Sequence, residues 1–252
     1  MAQDARNHAT QPPAGTAHAR VHAALRQALM NGDFLPGQRI VVREIAERFE
    51  TSAMPVREAL RQLVSDEALF DHPNRGVIVP EATVEVIADL VRVRCSIEGA
   101  AAEWASQTIA EDELDEIEAI NRDMQVCATR HDAADYLMLN RQFHFCVYRA
   151  ARSPVLLPII ERLWLRAGPW LNIMRDDATL GIGLDHHAEI IDALRRGDGV
   201  RARRALIADI TDAADVMLRA AAKPAREISR QKPRMALVRS PAASKSSSRR
   251  QS

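Results

Sequence analysis

The chain has 252 residues, of which 47% are hydrophobic, 27% charged and only 4% aromatic, the balance of a globular protein with an aliphatic core and room for one large domain or two ordinary ones. Nowhere do about 18 consecutive apolar residues occur, and the opening MAQDARNHATQPPAG has no apolar run of the signal-peptide kind, so neither a membrane span nor a membrane partner is expected. Cys95, Cys127 and Cys146 form no CxxC pair and fall in apolar helical patterns, which suits packed, reduced thiols and predicts a cytoplasmic protein.

Lys plus Arg and Asp plus Glu both number 34, but the zero net charge hides an asymmetry. From Lys223 to Ser252 nine basic residues face the single acid Glu227, leaving a tail of about +8 and a body of about −8. The tail has too few large apolar groups to offset the entropy of ordering and is read as a disordered basic segment over 223–252. It is either a solubilising tail or an arm that holds DNA phosphates. A second disordered arm is expected over 1–17.

Residues 18–80 read as three short helices and a hairpin. Val21, Leu25, Ala28 and Leu29 keep the spacing of a one-sided helix that stops at Asn31-Gly32. Ile45, Ala46 and Phe49 mark a shorter helix from near Val42. Ser52 is the expected N-cap of a third, its hydroxyl accepting from a first-turn N–H. Pro55 then falls at the third helical position, where its missing N–H has no intrahelical partner to lose. Val56, Ala59, Leu60, Leu63 and Val64 form the buried stripe, with Arg57, Glu58, Arg61 and Gln62 outside. Residues 69–72 and 76–79 flank Pro73-Asn74-Arg75, a hairpin with a basic tip.

Two helices joined by a tight turn at Glu50-Thr51 and followed by a hairpin follow the winged helix-turn-helix plan. The region has about as many acids as bases, so its cations must be placed rather than abundant. Arg43, Arg57, Arg61 and Arg75 are expected on the surface made by third helix and wing. Ser52, Ala53 and Met54 lead the helix into the major groove, and the wing reaches the minor groove.

The pieces LRQALMNGDFLPGQRI, REIAERFETS, PVREALRQL and PNRGVIV, in this order and spacing, resemble the winged helix of the GntR family of bacterial transcription regulators. The resemblance implies a double-stranded operator as partner, with Arg43, Ser52, Arg57 and the wing residues Asn74, Arg75 and Gly76 as contacts. Ala53 departs from the pattern, since an arginine usually follows the capping serine or threonine.

From about 81 to 222 the pattern is helical throughout. A long helix is expected over 82–106. The stretch TIAE at 108–111 reads as a capping box opening a helix over 109–128, Asp132 caps the next, and Ser153-Pro154 starts another. Helices near 183–196 and 199–221 complete six or seven antiparallel helices. Residues 168–181 read as a loop long enough to cover a pocket. The fold class is mainly α, a winged helix-turn-helix over 18–80 followed by an all-α antiparallel helical bundle over 81–222.

Polar groups interrupt the inward stripes of this bundle. Asn140 and His144 share a face with Leu137 and Val147, His187 shares one with Ile190, Ile191 and Leu194, and Asp209 one with Leu206, Ile210 and Met217. His186 points about 100° away from His187 and is expected outside. Buried polar groups need partners, and three helices each offering one or two suggest a shared site as readily as separate neighbour pairs.

The stretches VRVRCSIEGAAAEWA, LNRQFHFCVYRA and DHHAEIIDALRRGD resemble the FCD domain, the effector module of the FadR branch of the same family. That resemblance implies a metal held by Asn140, His144, His187 and Asp209. An amide stands at the first position where Asp is common, and a carboxylate at the last. The donors suit Zn, Ni or Mn. It also implies that Arg94 reaches the carboxylate of a small organic acid; Glu98, four residues later, is spaced either to hold Arg94 in place or to form with it an ion pair that only decorates the helix.

Three functions follow from these readings: a dimeric transcription regulator, expected to be a repressor; a metal-dependent enzyme of organic-acid metabolism with an appended helix-turn-helix; and an adaptor that binds no DNA. The absence of an HExxH motif and of a spare inward general base disfavours the enzyme.

Overall fold

The structure is a computed structural model and describes residues 16–175 and 179–221. The expected basic tail over 223–252 and nearly all of the expected arm over 1–17 lie outside those residues.

The head begins with helix α1 (Ala17–Met30), capped by the Thr16 hydroxyl and ending at Asn31. Its buried residues Val21, Leu25, Ala28 and Leu29 are those of the periodic stripe, joined by Met30. Helix α2 (Val42–Arg48) buries Ile45 and Ala46, and helix α3 (Ala53–Ser65) buries Val56, Ala59, Leu60 and Leu63. Glu50 makes the α2–α3 turn at φ 49°. Strands β1 (Phe70–His72) and β2 (Gly76–Ile78) pair antiparallel, with Phe70 opposite Ile78 and His72 opposite Gly76. The backbone over 37–40 lies along the outer edge of this hairpin, Ile40 N–H donating to Val77 O at 2.9 Å and Val79 N–H to Gln38 O at 2.9 Å. This gives the wing a third, irregular edge.

The bundle comprises α4 (Val84–Ala105), α5 (Glu111–Thr129), α6 (Ala133–Ala150), α7 (Leu156–Ala167), α8 (Leu184–Arg195) and α9 (Gly199–Ala221). Among the described residues, that is six α-helices and one 3-10 segment, Gly168–Arg175. Helix α4 packs along α9, α5 along α6, and α8 along α9. The shared core is aliphatic, with Trp164, Tyr148 and Phe143 filling its centre.

Three local expectations are corrected. Thr108 does not cap α5. Its hydroxyl donates to Ala150 O on α6, and the helix starts at Glu111, two residues later than expected, where Glu113 reaches back to the Ala110 N–H at 2.9 Å. A tertiary partner outcompeted the local one. Ser52 does occupy the N-cap position, in extended conformation, but its hydroxyl makes no cap hydrogen bond. The expected loop over 168–181 begins as the 3-10 segment, and Trp170 and Leu171 are buried in the core.

That segment also fastens the bundle to the head. A Cβ built on Gly168 would lie 2.2 Å from Leu29 O, and one on Gly32, at φ 68°, would lie 2.9 Å from Asn172 N. Only glycines allow the backbones to meet this closely. Asn172 Nδ2 donates to Gly32 O at 2.6 Å, Arg175 pairs with Asp33 at 2.7 Å, and Arg141 of α6 donates to Asn31 Oδ1 at 2.7 Å.

Candidate functional site

Two places combine exposure or burial with unusual chemistry. One is the leading end of α3. Ser52, Ala53, Arg57 and Arg61 are all exposed, and Met54 is 60% exposed although apolar. Val56, Ala59, Leu60 and Leu63 turn the other face into the core, so the polar face has nowhere to go but outward. Arg43 borders the same surface groove as Ser52, Ala53 and Arg57, a concavity of about 490 Å³ between α2 and α3. Its guanidinium is held by Glu47 one turn on, at 2.7 Å. Asn74, Arg75 and Gly76 form the exposed tip of the wing, with Gly76 at φ 68°. Arg75 folds back on the head, donating to Gly37 O at 3.0 Å.

The other place is inside the bundle. His144 of α6, His187 of α8 and Asp209 of α9 are all buried, and each offers one ligand atom within 4.8 Å of the others. Asp209 stands between the rings, Oδ2 lying 3.2 Å from His144 Nε2 and Oδ1 3.5 Å from His187 Nε2. Phe143 stacks on the His187 ring at 4.1 Å between centroids. Asn140, one turn before His144, lines the same cavity, as do Arg94, Trp164, Leu171, Ile182 and Gly183. The four residues expected as a donor set thus come to one place from three helices. His186 points elsewhere, pairing with Asp212 at 2.7 Å.

Electrostatics favour a cation here. His187 is 0% exposed, yet neither ring nitrogen has a hydrogen-bond partner, and burial pushes its imidazole down to about 4, so at neutral pH it is a bare base. Burial acts to raise the Asp209 carboxyl and positive charge at the facing imidazoles acts to lower it, so with both rings neutral the carboxylate calls for a cation beside it. Two imidazole nitrogens and one carboxylate facing a common point are a donor set that divalent ions of the zinc type accept. Gly183 completes the cradle: a Cβ there would sit 2.3 Å from Asp209 Oδ1 and 3.4 Å from His187 Nε2. The residues therefore fit a metal ion. The cavity itself measures about 40 Å³, room for an ion and one or two waters but not for an organic ligand of ordinary size.

Arg94 borders the cavity, but it is engaged. Its Nε and Nη2 donate to the two oxygens of Glu98 at 2.6 and 3.1 Å, and its Cζ lies 5.0 Å over the Trp164 ring. Burial works against the Arg94 charge, and the Glu98 carboxylate more than compensates, raising the guanidinium above its usual value. Glu98 is itself fully buried and also accepts from Tyr148 Oη at 2.5 Å and Trp164 Nε1 at 3.1 Å. Burial and Glu98 together push the Tyr148 hydroxyl well above its ordinary pKa, so it keeps its hydrogen.

Tyr148, Trp164, Leu171 and Gly183 were not anticipated at this site. Tyr148 carried a usable signal, since it extends the Asn140–His144 row by one more turn. Gly183 carried none, because its meaning is an interatomic distance to a residue 26 positions away.

No helix among the described residues is long and apolar enough to cross a membrane. The model of the bacterial regulatory proteins of the gntR family matches residues 17–79, and that of the FCD domain matches residues 89–212. The HTH-type transcriptional regulator McbR of Escherichia coli (strain K12) is 29% identical over 190 residues, 74% of this chain and 86% of McbR. The solved structure of E. coli McbR/YncC matches with a TM-score of 0.77 at 26% identity, covering 82% of this chain and 99% of that one. A GntR transcriptional regulator from Rhodococcus sp. RHA1 matches with a TM-score of 0.69, again at 26% identity over 82% of this chain and 99% of its own. A winged head with an exposed leading helix, an FCD bundle around a polar cavity and these relatives agree: the chain belongs to the GntR family, in the branch with an FCD ligand-binding domain, and it is a transcription regulator rather than an enzyme.

Proposed function

We propose that this regulator grips a two-fold-symmetric operator as a homodimer, represses from it, and releases it when a small organic acid enters the bundle beside a divalent cation. The observation that carries this reading is a shared segment. Leu171 lines the cavity, and Asn172, the next residue, donates to Gly32 O in the head at 2.6 Å. A ligand that shifts Leu171 therefore pulls on the head directly.

On the DNA side, Ser52, Ala53 and Met54 lead α3 into the major groove. Arg43, Arg57 and Arg61 meet phosphates or guanine edges beside it, and Asn74, Arg75 and Gly76 of the wing reach the minor groove. Their exposure supports this assignment, and Arg43, Ser52, Ala53 and Arg57 border one groove. Arg75 has to leave Gly37 O to take part.

The homodimer is supported by α4. Val86, Val93 and Trp104 are exposed at i, i+7 and i+18, with half-buried Ile97 at i+11, an apolar stripe beside the buried face. A second copy of the same helix covers it under two-fold symmetry. Two heads then face two half-sites.

Within the bundle, His144, His187, Asp209 and Asn140 would hold Zn, Ni or Mn. When bound, the ion supplies a Lewis-acidic contact for one carboxylate oxygen of the effector. Arg94 borders the same cavity, its Nε and Nη2 kept by Glu98, and the remaining edge of its fork would meet the acid. Because the cavity is about 40 Å³, the acid enters only if the wall moves. Ile182, 40% exposed between Gly181 and Gly183, is the natural gate. Linkage then requires that an acid which weakens DNA binding binds the DNA-free form more tightly.

Selection of genomic fragments by the purified protein, with and without zinc and a panel of sugar acids, hydroxy acids and dicarboxylates, tests the reading. Enrichment of one palindromic element, lost on adding one acid, is the expected result. No preference over random duplex in any condition rejects it.

A further inference from the structure

We propose that Tyr148 and Glu98 are positioning residues for His144: they hold its imidazole in the tautomer whose bare Nε2 faces Asp209, so that a cation entering the cavity meets a lone pair already aimed at it. This rests on the divalent-cation reading of the cavity and adds to it the reason why His144 is a ligand rather than a hydrogen-bond partner.

The argument is one of donors and acceptors. A guanidinium and an indole N–H only donate, and both donate to Glu98. Paired in this way, the Glu98 carboxylate has only lone pairs to present. The Tyr148 hydroxyl, 2.5 Å from Glu98 Oε2, must therefore spend its single hydrogen on that contact. Its oxygen retains lone pairs, and His144 Nδ1 lies 3.2 Å away. That contact is a hydrogen bond only if Nδ1 carries the hydrogen. A neutral imidazole has one, so Nε2 is left bare.

Nε2 lies 3.2 Å from Asp209 Oδ2, and in this neutral tautomer the two face each other lone pair towards lone pair. Two acceptors opposed in a buried site are unfavourable unless a cation stands between them. The chain runs from Arg94 on α4 through Glu98 and Tyr148 to His144 Nδ1, the ring nitrogen that does not face Asp209. Without the Tyr148 hydroxyl, nothing prevents His144 from placing its hydrogen on Nε2 and closing a direct bond to Asp209, which competes with the ion. Outer partners of this kind typically change metal affinity by about 10- to 100-fold.

The test uses the full-length protein with 15N-labelled histidine, metal-free and zinc-loaded, together with Tyr148→Phe, which deletes one oxygen from the core. Zinc affinity is read by competition with a chromophoric chelator, and folding of the variant by its thermal melt. The expected result is a hydrogen on His144 Nδ1 in the metal-free wild type, its transfer to Nε2 in Tyr148→Phe, and a roughly 10- to 100-fold loss of zinc affinity in the variant. Unchanged zinc affinity in a folded Tyr148→Phe overturns the proposal. So does a metal-free wild type with a bare Nδ1, whether or not the variant folds. If the wild type takes up no zinc, the cation reading fails, and the tautomer of its His144 still decides whether the relay exists.

Discussion

Asn172 Nδ2 donates to the carbonyl oxygen of Gly32 at 2.6 Å, and this bond joins the wall of the bundle cavity to the last turn before the head's first loop. Gly32 is at φ 68°, and a Cβ on it would come within 2.9 Å of Asn172 N, so the pair is held as much by contact of backbones as by the hydrogen bond. Asn172→Ala is expected to lower stability by only about 1–2 kcal/mol and to leave operator affinity in the absence of effector near wild type. What it should lose is the effector's influence on that affinity. Fluorescence anisotropy with labelled operator, with and without the inducing acid, checks this; an undiminished response would move the coupling to the α4–wing connection.

Gly183→Ala inserts a methyl group where Asp209 Oδ1 now sits, 2.3 Å from the new Cβ. Its backbone is at φ −89°, so alanine brings no conformational strain and the effect is local. Asp209 must swing away, and zinc affinity should fall about tenfold or more while the far-ultraviolet circular dichroism stays the same. Chelator competition gives the answer, and wild-type affinity in this variant would remove Asp209 from the donor set.

Adding zinc to metal-free protein should raise its melting temperature. At free zinc 100 times the dissociation constant the native state gains about 2.7 kcal/mol, and each kcal/mol moves the melting point by about 2–4 °C in a chain of this size. His187→Ala removes a buried ligand and should abolish the shift. A variant that melts higher with zinc by the same amount as wild type would show the ion to be bound elsewhere.

Arg57→Ala and Arg61→Ala should weaken operator binding, each by removing one cation from the exposed face of α3. If each touches a phosphate, the slope of log affinity against log salt falls by about 0.9 per residue for every sequence tested. If one reads a guanine instead, specificity at a single base pair relaxes and the slope changes little. Binding by both variants indistinguishable from wild type would place the interface on another face.

Trp104→Glu puts a charge in the exposed apolar stripe of α4 without touching the buried face. Light scattering after size exclusion should show the dimer shifting to monomer. A dimer unchanged in this variant and in Val93→Asp would mean that α4 is not the two-fold surface.

The winged head was legible because its signals are local. The stripe Val56, Ala59, Leu60, Leu63 and the punctuation of Asn31-Gly32 and Pro55 act within one turn of their own backbone, and the helices fell where that periodicity put them. The same holds for the inward polar row Asn140–His144, which helical spacing alone turned towards the core. Local rules failed where a distant partner was available. Thr108 gave up a cap for Ala150 O, and 168–175, read as part of a loop, coiled once Trp170 and Leu171 found the core.

Periodicity, capping and turn chemistry are short-range forces, so the amino-acid order by itself determined which segments are helices, which faces they bury, and that His144, His187 and Asp209 point inward. Convergence of those three on one point, the glycine that leaves Asp209 its space, and the tie from Leu171 and Asn172 to Gly32 depend on how helices far apart in the chain come to lie against one another. Only the packed tertiary structure decided them, because close packing turns sequence-distant side chains into neighbours at distances that no local pattern encodes.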